Sequence, residues 1–120
     1  MARILLVEDT PANRVLATKL LRAAGHDVLT AGTGAEGVAL AREHPLDLVL
    51  MDLGLPDMDG RQAMTQIRAL HTADDTPIVA FTAHAMVGDR ERALTAGFNG
   101  YLSKPIDVAT FVDRVGELVP

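Results

Sequence analysis

The chain has 120 residues and a mass of 12.8 kDa, enough for one domain with one core and too little for a second. Its formal net charge is −5, from 11 basic and 16 acidic residues, which argues against a nucleic-acid groove and suits a cation or a basic partner. Cysteine is absent and aromatics make up only 3%, so disulfides, thiolate zinc sites and cysteine nucleophiles are excluded and the core must be aliphatic.

No apolar run approaches the roughly 18 residues of a membrane span. The run at residues 4–7, ahead of Glu8, is too short for a signal peptide. A cytoplasmic location is expected, with no DNA and no membrane among the partners.

Arg3–Val7 is an apolar run that ends in two acids, Glu8 and Asp9. Thr10 and Pro11 cap and start a helix, since Pro is tolerated at the first helical position. Val15, Leu16, Lys19, Leu20 and Ala23 give it helical spacing, and Gly25 supplies the stop. Asp27–Ala31 is the next strand. Thr33 with Glu36 three residues on reads as a capping box, opening a helix that ends before Pro45. Residues 47–51 form the third strand, and after a loop over 54–60 a third helix runs to about Leu70. Residues 77–81 form the fourth strand, and a helix over about 86–96 stops at Gly97. Gly100–Ser103 is a short fifth strand. Asp107 then caps a last helix, with Ile106 and Phe111 placed for a hydrophobic staple.

The order is strand then helix, repeated five times. The first, third and fourth strands are continuously apolar, as strands buried on both faces are. The expected fold class is α/β: a doubly wound five-stranded parallel sheet with flavodoxin-like order 2-1-3-4-5 and right-handed crossovers, spanning residues 1–120 as one domain.

Ligands of such sheets bind outside the carboxyl ends of the strands. Glu8 and Asp9 follow the first strand, Asp52 the third, Thr82 the fourth, and Lys104 with Pro105 the fifth. A strand-end Asp can simply cap the next helix, but the whole set at one edge is hard to assign to capping. Two carboxylates about 5 Å apart repel by roughly 3 kcal/mol at an effective dielectric of 20. Either one acid is protonated or a cation sits among them. Oxygen-only ligands favour a hard ion such as Mg²⁺, with Mn²⁺ as the alternative. An Asp carboxylate beside such an ion can attack a phosphoryl group and carry it covalently, and Lys104 and Thr82 can contact it. Asp57 and Asp59 are expected to serve the turn and the start of the following helix rather than the metal. His26, His44 and His71 are scattered and expected to be solvated, and Met51, Met58, Met64 and Met86 to be packing residues.

Glu8-Asp9, the stretch Asp52-Leu53-Gly54-Leu55-Pro56-Asp57-Met58-Asp59-Gly60, Thr82-Ala83 and Lys104-Pro105 together resemble the receiver domain of two-component response regulators over the whole chain. The resemblance implies Asp52 as phosphoacceptor. It implies Mg²⁺ held by Asp9, Asp52 and the Gly54 carbonyl, with Glu8 acting through water. It implies phosphoryl contacts from Lys104, Thr82 and the Ala83 backbone, a switch formed by Thr82 and Tyr101, and a cis peptide before Pro105. Gly54 and His84 stand where this family tunes access of water to the phosphoryl group, and His84 is expected to slow hydrolysis by covering the site. Further motifs, Glu8-Asp9-Thr10-Pro11-Ala12-Asn13, Thr82-Ala83-His84-Ala85-Met86-Val87-Gly88-Asp89-Arg90 and Tyr101-Leu102-Ser103-Lys104-Pro105-Ile106, resemble receivers of hybrid histidine kinases and stand-alone regulators of the DivK type.

The implied function is a phosphorylation-dependent switch. The implied partners are a histidine kinase or histidine phosphotransfer protein and a downstream protein target. The first helix, at Asn13 and at Leu16 or Ala17, would dock the histidine-bearing bundle. Homodimerisation is expected through the face of the fourth helix, fifth strand and last helix, where Arg90, Arg92 and Arg114 would form a basic rim. The position of the chain's ends favours a stand-alone regulator. The alternatives are a phosphorelay intermediate or a hybrid-kinase receiver, and, from another class, a Mg²⁺-dependent aspartyl phosphatase. Such a phosphatase usually places its nucleophile and acid two residues apart after the first strand, whereas Glu8 and Asp9 are adjacent and Asp52 is distant. Flavin binding lacks a hydroxyl- and Gly-rich phosphate loop after the first strand, and a nucleotide P-loop is absent.

Overall fold

Five short aliphatic runs pair in parallel as β2-β1-β3-β4-β5. The structure, a computed structural model, describes residues 2–70, 76–83 and 88–119. In chain order the elements are β1 (Arg3–Val7), α1 (Pro11–Ala23), β2 (Asp27–Ala31), α2 (Gly34–Glu43), β3 (Leu48–Met51), α3 (Gly60–Leu70), β4 (Ile78–Thr82), α4 (Asp89–Ala96), β5 (Gly100–Ser103) and α5 (Phe111–Leu118). This is the doubly wound sheet expected from the sequence, in the expected order.

Alternate residues of the central strands feed two cores. Leu5, Val7, Val49, Met51, Ile78 and Ala80 face α2, α3 and α4 through Val38, Ala41, Ala63, Ile67 and Ala93. Ile4, Leu6, Leu48, Leu50, Val79 and Phe81 face α1 and α5 through Ala17, Leu21, Phe111 and Val115. Each large aliphatic side chain so buried contributes about 1.5–3 kcal/mol. The edge strands β2 and β5 are only partly buried, which is why their hydrophobic pattern is weaker.

The caps explain most element ends. Gly25 adopts φ 93° just past α1, a left-handed position that stops the helix. The Thr33 hydroxyl accepts from the Glu36 N–H at 3.1 Å. The return half of the box differs from expectation, since Glu36 accepts from the Gly32 N–H at 3.2 Å instead of from Thr33. Thr10 makes no side-chain cap on α1. Asp47 lies just outside β3, where its carboxylate accepts from the Arg3 N–H at 2.8 Å.

The last helix starts later than expected. Asp107 caps a separate turn, accepting from the Ala109 N–H at 3.0 Å. Its carbonyl takes the N–H groups of Thr110 and Phe111, and α5 begins at Phe111. Ile106 and Phe111 share one core. The fourth helix starts at Asp89, after Gly88 at φ 90°; the expected start at Met86 lies outside the described residues, as does His71.

Register positions the site. Val7 pairs with Met51, and Met51 with Ala80. Glu8 and Asp52, one residue beyond that pair, therefore leave the sheet side by side, Asp52 N–H donating to the Val7 carbonyl at 3.0 Å.

Candidate functional site

The carboxylates of Glu8, Asp9 and Asp52 each offer an oxygen within 4.8 Å of the others. Glu8 is fully buried, Asp52 nearly so, and Asp9 half-buried. Lys104 reaches over from the end of β5. Its Nζ donates to Glu8 Oε1 at 2.8 Å, to Glu8 Oε2 at 2.7 Å and to Asp52 Oδ2 at 3.1 Å. The ammonium also lies 5.1 Å from the centroid of the Phe81 ring, a favourable cation–π distance. Its backbone N–H donates to the Thr82 carbonyl at 2.8 Å, and the Lys104–Pro105 peptide is cis. The other Asp52 oxygen, Oδ1, accepts from the Gly54 N–H at 3.0 Å.

The buried acids divide their protons unequally. Burial, then the hydrogen bond with Asp52, pushes Glu8 from 4.5 up to about 7, with Lys104 pulling the other way. Burial alone would raise Asp52, but hydrogen bonds from Glu8 and the Gly54 N–H, with Lys104 beside them, hold it below its ordinary value. Asp9 is raised, by burial and by the neighbouring Asp52. Asp52 is thus the acid held lowest of the three, and an ionised carboxylate is a competent nucleophile without a general base. Three acids against one ammonium leave an excess of negative charge and an all-oxygen donor set, which suits a hard divalent cation.

Thr82 is buried at the end of β4. Tyr101 pairs with Ala80 in the sheet, and Thr82 stands two residues beyond Ala80. Both side chains therefore lie on the α2–α4 face, where Tyr101 packs half-buried against the core. Burial, then the charge of Asp89, raises the Tyr101 hydroxyl. Ala83 is exposed at the bend after β4, and His84 lies outside the described residues. Gly54 is exposed, and a Cβ added there would come no nearer than 3.9 Å to Asp52 Oδ1, so a side chain fits beside the carboxylate.

Several sequence expectations are corrected. Asp57 does not serve the start of the next helix: its carboxylate accepts from the Gly34 and Ala35 N–H groups, at 2.8 and 2.9 Å, on α2. Asp59 does cap its own turn, accepting from the Arg61 N–H at 2.9 Å. Ala17 is fully buried in the core and cannot contact a partner, whereas Leu16 is 37% exposed, beside Val15 at 57%. Arg92 is paired with Asp89 on its own helix rather than free for a basic rim. His26 is half-buried and accepts from the Ala2 N–H at 3.3 Å.

Two further residues shape the site without having been singled out. Arg14 donates to the Glu8 carbonyl at 2.8 Å, fixing the turn that carries Glu8 and Asp9; its place on α1 gave no sequence signal. Gly60 opens α3 against the Asp52–Leu53 backbone. A Cβ there would overlap the Asp52 carbonyl oxygen and stand 2.8 Å from the Leu53 Cα. The Asp59-Gly60 pair before an apolar helix was the available signal.

Acids after β1 and β3, a hydroxyl after β4 and a lysine after β5 share one sheet edge, and residues 4–116 match the family of the response regulator receiver domain. The chain belongs to this family. It is 37% identical over 112 residues to the polar-differentiation response regulator DivK of Brucella ovis, covering 93% of this chain and 91% of that protein. It is 42% identical over 104 residues to the signal transduction histidine-protein kinase BarA of Escherichia coli, covering 87% of this chain but only 11% of the kinase. Among solved structures, the chemotaxis response regulator CheY4 of Vibrio cholerae superposes with a TM-score of 0.91 at 27% identity, covering 99% of both chains. The receiver domain of a Pseudomonas aeruginosa sensor histidine kinase, which holds a magnesium ion in its active-site cleft, superposes with a TM-score of 0.86 at 39% identity, covering 98% of this chain and 96% of that one.

Proposed function

We propose that this receiver accepts a phosphoryl group on Asp52 and uses it to switch protein–protein contacts. The observation that carries the reading is the cluster of Glu8, Asp9 and Asp52, within 4.8 Å of one another, with Lys104 bonded across two of them. Phosphorylated histidine is the natural donor class. An ionised oxygen of Asp52 attacks phosphorus, the new O–P bond forms, and the P–N bond breaks with its electron pair leaving on the imidazole nitrogen. Asp9, Asp52 and the Gly54 carbonyl would hold Mg²⁺, with Glu8 acting through water. When bound, the ion supplies neutralising charge for the carboxylates and the incoming phosphoryl oxygens.

Lys104 then exchanges carboxylate contacts for a phosphoryl oxygen, and the Ala83 N–H and Thr82 hydroxyl take up the others. Movement of Thr82 frees space on the face it shares with Tyr101. The phosphoryl group thereby favours one of two states through contacts that only that state makes. The surface of α4, β5 and α5 carries the output to a protein target, or to a second copy of the chain. The exposed Val15 and Leu16 on α1 and Val108 after β5 are suited to docking the histidine-bearing partner.

Intact mass after incubation with acetyl phosphate, with and without Mg²⁺, tests the reading for wild type and Asp52→Asn. One Mg²⁺-dependent phosphoryl adduct, lost in the variant, is expected. No adduct from acetyl phosphate or from a phosphorylated histidine kinase would overturn it. A second reading, onward transfer within a phosphorelay or a hybrid kinase, is favoured by the 42% identity to the BarA segment. Transfer of the phosphoryl group from Asp52 to a second histidine would distinguish it from a terminal switch.

A further inference from the structure

The loop between β3 and α3 carries Gly54, and its geometry is closed at three points. Gly54 and Asp59 form an antiparallel bridge across its neck. The Gly60 N–H donates to the Leu53 carbonyl at 3.1 Å. At its tip, both oxygens of Asp57 are held by the Gly34 and Ala35 N–H groups. These are the first two residues of α2, whose N–H groups have no partner within their own helix. Bonds from helix-terminal N–H groups to an ionised carboxylate are charge-assisted and favoured by the helix dipole. Met58 packs beside them, for a Cβ on Gly34 would come within 2.5 Å of its Cγ.

The other end of this connection is equally fixed. Helix α2 lies so close to β1 that a Cβ on Gly37 would stand 2.7 Å from Val7 Cγ2. Val7 immediately precedes Glu8 and Asp9. The site is built in two halves, the β1 acids and the β3 acid with its loop. Asp57 ties the second half to the helix that is packed against the first.

We infer that Asp57 is a positioning residue for the cation site: by docking the β3–α3 loop on the N-terminus of α2, it sets the place of the Gly54 backbone relative to Glu8 and Asp9. The inference rests on the proposed role of Gly54 at that site. Asp57 itself touches neither the cation nor the phosphoryl group.

The test compares Asp57→Ala, Asp57→Asn and Thr33→Ala. Thr33→Ala removes the other cap of α2, the bond to Glu36 N–H, and leaves the loop alone. Mg²⁺ affinity is measured by calorimetry, thermal midpoint without metal by circular dichroism, and amide exchange of Gly54 by NMR in the metal-free protein. Asp57→Ala is expected to weaken Mg²⁺ binding at least fivefold and to speed Gly54 exchange. Asp57→Asn, which keeps one acceptor oxygen, should fall between it and wild type. Thr33→Ala should lower the midpoint with Mg²⁺ affinity within twofold of wild type. If Asp57→Ala lowers the midpoint but leaves Mg²⁺ affinity within twofold and Gly54 exchange unchanged, Asp57 is only a helix cap and the inference falls. If wild type itself binds no Mg²⁺, the proposed function fails instead. The exchange rate of Gly54 then still decides whether Asp57 holds the loop.

Discussion

Lys104 and Glu8 meet across 96 positions of sequence, the ammonium bonded to both carboxylate oxygens at 2.8 and 2.7 Å. The pair joins the ends of β1 and β5, which flank β3 and β4 in the sheet. Both side chains are largely withdrawn from water, that of Lys104 being 8% exposed and that of Glu8 0%. Removing Lys104 would leave two buried carboxyls, Glu8 and Asp52, without their shared cation, a costly change.

Its consequence for pH follows from Glu8. In the metal-free protein Glu8 holds its proton up to about 7, against 4.5 in the unfolded chain. The folded state binds more protons across that window, so stability falls as pH rises through it and changes no further below 4.5 from this group. Asp52, held low, acts only in acid, where its contribution is lost as pH falls. Urea denaturation at several pH values without divalent ions should show wild type less stable at pH 8 than at pH 5.5, and Glu8→Gln with that difference removed.

Gly54 leaves one side of Asp52 open, with 3.9 Å between an added Cβ and Oδ1. A long side chain there would stand over the phosphoryl group and hinder approach of water. Gly54→Met should lengthen the lifetime of the aspartyl phosphate several-fold while leaving the yield of adduct intact. Loss of adduct by mass over time is the measurement, and an unchanged lifetime would show that water arrives from elsewhere.

Gly60 has no such freedom. Its missing side chain lets α3 begin directly on the Asp52–Leu53 backbone, and backbone cannot move aside as a side-chain tip can. Gly60→Ala should cost about 3 kcal/mol by overpacking, read from the urea midpoint, and should reduce phosphoryl uptake together with stability.

Tyr101 is the single tyrosine in a chain without tryptophan, so its emission reports on its own surroundings. Phosphorylation should change that emission in wild type. Thr82→Ala should keep the phosphoryl adduct, with reduced yield, but lose the change in emission. Retention of the emission change would separate Tyr101 from Thr82.

The fold was legible because its signals are local. Leu48, Val49, Leu50 and Met51 form a continuous apolar run bounded by acids, and Gly25 and Gly97 stop helices with their own φ values of 93° and 118°. Helix starts were less legible. Thr10, Thr33 and Asp107 all read as caps, yet only Thr33 caps its helix with its side chain. The hydroxyl or carboxylate must point at an N–H, and spacing alone does not set that direction.

The sequence by itself determined which residues follow each strand, and hence that Glu8, Asp9, Asp52, Thr82 and Lys104 share one edge, because a parallel sheet sends every strand end the same way. Only the tertiary structure decided what these residues do to one another. Burial raises Glu8, whereas the hydrogen bonds from Glu8 and the Gly54 N–H, with Lys104, outweigh burial at Asp52 and hold it low. Asp57 belongs to the same class: its oxygens reach a helix 22 and 23 positions away, because chain folding, and not sequence spacing, brings a loop tip to the unpaired N–H groups of α2.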